Sequence, residues 1–230
     1  MVFVTGDVHC PIDVHKLNTK NFPLQKSLTK DDYLIVCGDM GLVWSYPDGP
    51  RYKEDLYWQK WFNNRNYTTL FVDGNHENHP ILASYPVVDF CGGKAHQIKD
   101  SVYHLIRGEV YTIDGKTFFC FGGASSHDKH LRKEGVDWWP EEIANFAEMN
   151  KAIDNLEKYN NEVDYIISHC CSTRVQNIIS PYYESDSMTQ FFKFIEENIK
   201  FKAWYFGHYH TDMVITPNFV CVYDQIFKLF

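Results

Sequence analysis

Five short apolar runs in this chain each stop at a polar turn built from the same few residue types. Met1–Thr5 leads into Gly6-Asp7-Val8-His9, and Tyr33–Cys37 into Gly38-Asp39-Met40-Gly41. Thr68–Val72 leads into Asp73-Gly74-Asn75-His76-Glu77, Val163–Ser168 into His169, and Ala203–Phe206 into Gly207-His208-Tyr209-His210. Short runs rich in β-branched and aromatic residues, bounded by turn signals, predict buried strands. In an α/β sheet, ligand sites form beyond the carboxyl ends of the strands. The polar ends therefore predict one shared site holding Asp7, His9, Asp39, Asn75, His76, His169, His208 and His210. A single Asp or His at a strand end is more often a cap or turn former; repetition in order, mostly with glycine at the turn, points to a common site.

The intervening segments set the rest of the expected fold. A polar stretch with helix potential follows Pro11, and Pro47–Pro50 reads as a loop. Lys53–Phe62 predicts a helix that packs Tyr57, Trp58, Trp61 and Phe62 onto a sheet, and His79–Ser84 a short helix. From Val87 to Gly123 the texture becomes a β meander, with Asp114-Gly115 as a two-residue hairpin turn. Pro140-Glu141-Glu142 opens an expected helix to about Tyr159. Ser187-Met188-Thr189-Gln190 matches a capping box for a helix to Lys200, and Met213–Thr216 with Phe219–Tyr223 predicts a closing strand pair. Alternating strands and helices followed by a meander predict an α/β (α+β) fold with a mixed sheet or two facing sheets. The chain carries no repeat or linker-like stretch, so one domain over residues 1–230 is expected.

Composition narrows the function classes. The chain is 44% hydrophobic and 17% aromatic, enough for a sizeable core, yet no apolar run reaches the roughly 20 residues of a membrane span, so no membrane partner is expected. Seven cysteines without a CxxC pair, and a start without signal-peptide character, predict reduced thiols and a cytoplasmic location. A formal net charge of -8 disfavours long nucleic acid as a partner. Bound metals do not enter that count, so a local cationic site is compatible with it. Carboxylates, an amide oxygen and imidazoles form a donor set for Mn²⁺, Fe or Zn²⁺, with Mg²⁺ less favoured by so many histidines. Setting His76 aside leaves seven candidate ligands, too many for one ion with an open position and suited to two divalent ions sharing a carboxylate.

The blocks GDVH (Gly6–His9), GDMG (Gly38–Gly41), GNHE (Gly74–Glu77), the lone His169 and GHYH (Gly207–His210) resemble the signature blocks of calcineurin-like metallophosphoesterases. The resemblance organises the chain from Gly6 to His210, although most residues between the blocks are unmatched. It implies a four-layer sandwich of two mixed β-sheets flanked by helices. It further implies that Asp7, His9, Asp39 and His210 hold one metal and Asp39, Asn75, His169 and His208 the other, with Asp39 bridging. His76 would be the non-ligand histidine, a proton donor or transition-state stabiliser joined to Asn75 by one peptide bond, and Asp39 and His76 the catalytic pair. The implied activity is attack of a metal-bridging hydroxide on a phosphate mono- or diester, with Mn²⁺ favoured. Glu77 and Asp73 are candidate acceptors for the outer nitrogens of the ligand histidines.

Two positions depart from the family pattern. Ser/Thr protein phosphatases commonly continue the second block as GDxxDRG, whereas here Leu42 and Val43 follow Gly41, so that activity is not expected. Cys10 replaces the usual glycine of the first block and reads as a buried spectator thiol. Substrate contacts are expected instead from Ser126, His127 and Arg132 in the polar 124–139 loop, and from Arg174. Trp44 and Tyr46 read as core rather than as a base stack, and His96 and His104 as outside the chemistry. The expected substrate is a small phosphorylated molecule or a nucleotide. A nuclease would share the metal blocks but sits poorly with the acidic chain. A non-catalytic scaffold for protein partners needs none of the eight residues, and a metal store needs no proton donor beside an open clamp.

Overall fold

The computed structural model describes residues 1–230, and its first strand already contains the rule that builds the rest. The elements in chain order are β1 (Val2–Thr5), β2 (Tyr33–Val36), α1 (Tyr52–Asn63), β3 (Thr68–Phe71), α2 (His79–Ala83), β4 (Val87–Phe90), β5 (Gly93–Lys99), β6 (Val102–Leu105), β7 (Glu109–Ile113) and β8 (Lys116–Phe121). They continue as α3 (Phe146–Glu157), β9 (Tyr165–Ser168), α4 (Thr173–Ile179), α5 (Ser187–Asn198), β10 (Ala203–Phe206), β11 (Met213–Thr216), β12 (Phe219–Cys221) and β13 (Phe227–Lys228). Side chains alternate across a strand, and here both faces are apolar. Val2 and Val4 of β1 enter one core while Phe3 enters another. Ile35 and Leu34 divide the same way in β2, and Ile167 and Ile166 in β9.

Three cores result, and they define four layers. Val2, Val4, Ile35, Leu70, Phe118, Ile167 and Val222 fill the space between the two sheets. Phe62 of α1 and Leu82 of α2 cover the outer face of the first sheet with Phe3, Leu34 and Phe71. Met149 of α3, Val175 of α4 and Phe192 of α5 cover the outer face of the second with Phe119, Ile166 and Trp204. The first sheet runs β13-β1-β2-β3-β6-β5-β4 and the second β11-β12-β10-β9-β8-β7. β1, β2, β3 and β6 are mutually parallel, as are β12, β10, β9 and β8, with antiparallel strands at the edges. This is the two-mixed-sheet sandwich with flanking helices that the resemblance implies.

Several local expectations are corrected. Pro140 opens a 3-10 turn (Pro140–Glu142), and α3 starts later, where Asn145 and Glu148 form the capping box. The box for α5 uses Asp186 and Thr189, one residue before the expected position. The polar stretch after Pro11 forms two 3-10 turns, Val14–Leu17 and Pro23–Ser27. The expected meander is divided: β4–β6 join the first sheet and β7–β8 the second, so the chain changes sheets at Ile106-Arg107-Gly108. No helix is long and apolar enough to cross a membrane.

Candidate metal centre

The parallel strands β1, β2 and β3 of the first sheet and β9 and β10 of the second end at a common edge. Their polar turns meet there through unusually tight backbone. A Cβ on Gly74 would land on Asp39, and one on Gly207 would lie 2.5 Å from Asp7 Oδ2, so glycine at both positions lets neighbouring strand ends close on each other. His9, Asp39, His208 and His210 all adopt left-handed backbone, with φ of 40, 47, 68 and 46°. Non-glycine residues hold that conformation at a cost of roughly 1–3 kcal/mol each and cluster at functional sites.

Asp39 is the centre of the arrangement. It is 1% exposed; Oδ1 accepts the His76 backbone N–H at 2.8 Å, while Oδ2 lies 3.1 Å from His9 Nε2 and 3.4 Å from His169 Nε2. On one side, ligand atoms of Asp7, His9, Asp39 and His210 all fall within 4.8 Å of one another. On the other, Asn75 Oδ1 lies 3.1 Å from His169 Nε2 and 3.0 Å from His208 Nδ1. Ligands about 2.1 Å from one ion, at octahedral or tetrahedral angles, lie about 3.0–3.4 Å apart. The spacing around Asp39 and Asn75 matches that requirement.

The outer atoms of these groups are already committed, which turns the inner ones to the centre. His9 donates Nδ1–H to Asp13 Oδ2 at 2.8 Å, and His169 donates Nδ1–H to the Cys37 carbonyl at 2.8 Å. Asn75 donates its amide to Ser126 Oγ at 3.1 Å, which turns Oδ1 inward. Fixing the far nitrogen of a histidine in this way sets the tautomer a metal needs. The expected acceptors, Glu77 and Asp73, do not fill that role. Glu77 Oε1 accepts the Met40 and Gly41 N–H groups, and Asp73 is taken by His104 and Arg107. Asp13, four residues after His9, carries the only sequence signal for the true acceptor; the Cys37 carbonyl is backbone and carries none.

The electrostatics follow from burying carboxylates and imidazoles side by side. Against the burial that would raise it, His169 and His9 hold the Asp39 carboxyl well below the usual range. Burial pushes Asp7 up. Against burial, the Asp39 hydrogen bond and charge raise His9 to about 9, and the Asp39 charge raises His169 to about 9. Divalent ions compete with those protons for the same nitrogens. Burial, reinforced by His169, pushes His208 down to about 3, and burial also lowers His210. Burial lowers His76 as well, against the Asp39 charge and with Arg132 and His9 adding to the shift, which disfavours the charged ring. That favours a hydrogen-bond donor over a resident acid.

The residues expected to touch substrate divide. Arg132 stands over the centre: its terminal nitrogens lie 3.1 and 3.3 Å from the two ring nitrogens of His76, and Asp128 accepts from it at 2.8 Å. His127 lines a pocket of about 280 Å³ with Asn75, His208 and Tyr183. Ser126 is 1% exposed and bound beneath the centre, out of reach of substrate. Arg174 pairs with Glu196 and lies over Phe219, and it lines neither pocket at the centre. A cleft of about 720 Å³ opens beside His9, His76 and His210, walled by Trp44, Arg51, Arg132 and Val136. Trp44 is therefore half-buried cleft wall rather than core, with the Arg51 guanidinium 5.0 Å from its ring, and Tyr46 is exposed. Cys10 is buried at the cleft floor, where burial raises its thiol well above the usual range. His96 and His104 stack on each other away from the centre, and His104 donates to Asp73.

A family model described as calcineurin-like phosphoesterase matches residues 1–212. A comparison with curated proteins returns no match.

Proposed function

The chain belongs to the calcineurin-like phosphoesterase family, whose chemistry is metal-dependent phosphoester hydrolysis, and from that premise we propose that it hydrolyses a small phosphate ester or nucleotide at a two-metal centre. The observation that carries this reading is the single Asp39 oxygen lying within 3.4 Å of both His9 and His169. Asp7, His9, Asp39 and His210 would hold one ion and Asp39, Asn75, His169 and His208 the other, with Mn²⁺ the first expectation. When bound, such a pair supplies Lewis-acid charge and an acidified water.

The chain's own groups do the rest. Asp13 and the Cys37 carbonyl keep the His9 and His169 rings turned inward. Arg132, held by Asp128 next to His76, has the planar fork that grips phosphate oxygens by two parallel hydrogen bonds. It stands in for the arginine missing from the second block. His76 presents an N–H to the oxygen on which charge develops as the ester bond breaks. The cleft between Trp44 and Val136 is of a size that takes a drug-sized organic group, so the leaving group extends there.

The test is turnover of p-nitrophenyl phosphate and bis(p-nitrophenyl) phosphate with added Mn²⁺. Asp39→Asn and His76→Ala are each expected to lower kcat by about 10²-fold or more. Protein carrying its full metal complement with no turnover of any mono- or diester in a broad panel overturns the reading.

A further inference from the structure

A short hydrogen-bond chain beneath the centre decides which way the Asn75 amide faces. Glu142, in the 3-10 turn before α3, is fully buried, and its two oxygens grip a single residue. Oε1 accepts the Ser126 backbone N–H at 2.8 Å and Oε2 accepts the Ser126 hydroxyl at 2.6 Å. The same hydroxyl oxygen accepts from Asn75 Nδ2 at 3.1 Å. Ser126 is 1% and Asn75 4% exposed, so water does not compete for these contacts.

The direction of the chain follows from counting hydrogens. A carboxylate offers only acceptors, and a serine hydroxyl has one hydrogen. Once that hydrogen goes to Glu142, the Ser126 oxygen can only accept, so the group facing it must be the Asn75 NH₂. The Asn75 oxygen is thereby aimed at His169 Nε2 and His208 Nδ1. A flipped amide would set two acceptors against each other at Ser126 and bury NH₂ hydrogens at the metal position. The turn carrying Glu142 is anchored in its own right: Arg107 Nη2 donates to the Glu141 and Glu142 carbonyls at 2.9 and 3.4 Å.

We infer that Glu142, acting through Ser126, is a positioning residue that locks the Asn75 amide with its oxygen toward the second metal. The inference rests on the two-metal reading. It also reassigns Ser126 from substrate contact to ligand support, and makes assembly of the second position depend on a turn about 65 residues further along the chain.

The test measures Mn²⁺ uptake by equilibrium dialysis with metal analysis, together with the exchange coupling of paired Mn²⁺ by electron paramagnetic resonance. In Glu142→Gln the new amide donates to Ser126, which frees the hydroxyl to bond the Asn75 oxygen and reverses the chain. Ser126→Ala removes the acceptor outright. Each variant is expected to bind the second ion about 10–100-fold more weakly and lose the coupled signal, while binding of the first ion is retained. The double variant should cost no more than Ser126→Ala alone, because Glu142 acts only through Ser126. Melting in the presence of chelator reports folding separately, and Ser126→Ala, the loss of one oxygen, decides the matter where Glu142→Gln does not fold. Wild-type protein that takes up two ions beside folded variants that do the same with unchanged affinity, or that lose both ions equally, overturns the relay alone. Wild-type protein that takes up fewer than two ions overturns the two-metal reading and the relay with it.

Discussion

In the proposed reaction His76 and Arg132 form the pair on which the chemistry of single residues turns. The ring is tied to the centre through its own N–H on Asp39, and the guanidinium is tied to the ring's face of the cleft by Asp128. If Arg132 grips the phosphate, Arg132→Ala should lower kcat/KM by about 10²-fold, a loss typical of removing one preorganised donor. Arg132→Lys should recover little of it, since a point charge does not reproduce the two-pronged grip. Steady-state kinetics on the better p-nitrophenyl ester checks both; wild-type kcat/KM in Arg132→Ala would remove it from the site. At this scale the sequence is informative about residues that combine a strand end with a turn glycine, such as Asp7, Asp39 and Asn75. It is silent about Glu142, and of Asp13 it offers only the spacing of four residues from His9. Asp13 reads as part of a polar stretch and Glu142 as an acid in the first turn of a helix until the fold brings each behind a candidate ligand, and Ser126 looked like a loop hydroxyl for the same reason.

The end of β3 shows how elements hold the centre in place. Asp73 is 2% exposed and accepts from His104 at 3.1 Å and from Arg107 at 2.9 and 2.5 Å. Its backbone carbonyl takes the Gly123 N–H, so a first-sheet strand end is pinned to the segment that follows β8 of the second. Against burial, Arg107 and His104 hold the Asp73 carboxyl well below the usual range. Removing it takes the close carboxylate from a buried guanidinium and leaves Arg107 only the longer pair to Glu148 at 3.5 Å, and Asp73→Ala should lower unfolding free energy by about 3–5 kcal/mol in urea titrations. The pH sign follows from the lowered value: the unfolded chain binds the proton first as pH falls. The Asp73 contribution is therefore complete above the ordinary carboxylate value of about 3.9 and fades as pH drops toward its folded value. Wild type and variant should differ most near neutrality and converge in acid; a constant gap across pH would show that charge is not what Asp73 contributes. The strands themselves were legible because two apolar faces make unbroken runs. What a run cannot reveal is its partner: β4–β6 and β7–β8 share one texture yet enter different sheets. Nor did α4 stand out, a short helix of Thr173–Ile179 capped by Ser172 directly after the His169 turn.

Across the whole molecule, two parallel strand sets from separate sheets deliver their carboxyl ends to one edge, and that convergence is what five scattered motifs encode. The three cores are the scaffold of this arrangement, because each strand end is fixed by apolar packing on both its faces. The order of the motifs and the candidate ligand types were readable before any fold was known; the cleft beside them, walled by Trp44, Arg51 and Val136, came from loops with no pattern of their own. The claim at the centre is that Asp39 joins two metal positions. Anomalous diffraction from crystals grown with Mn²⁺ measures it directly. The account predicts two peaks about 3.5–4 Å apart, flanking the Asp39 carboxylate, with Asn75 and His208 on one and His9 and His210 on the other. A single peak, or a pair that does not share Asp39, would contradict it.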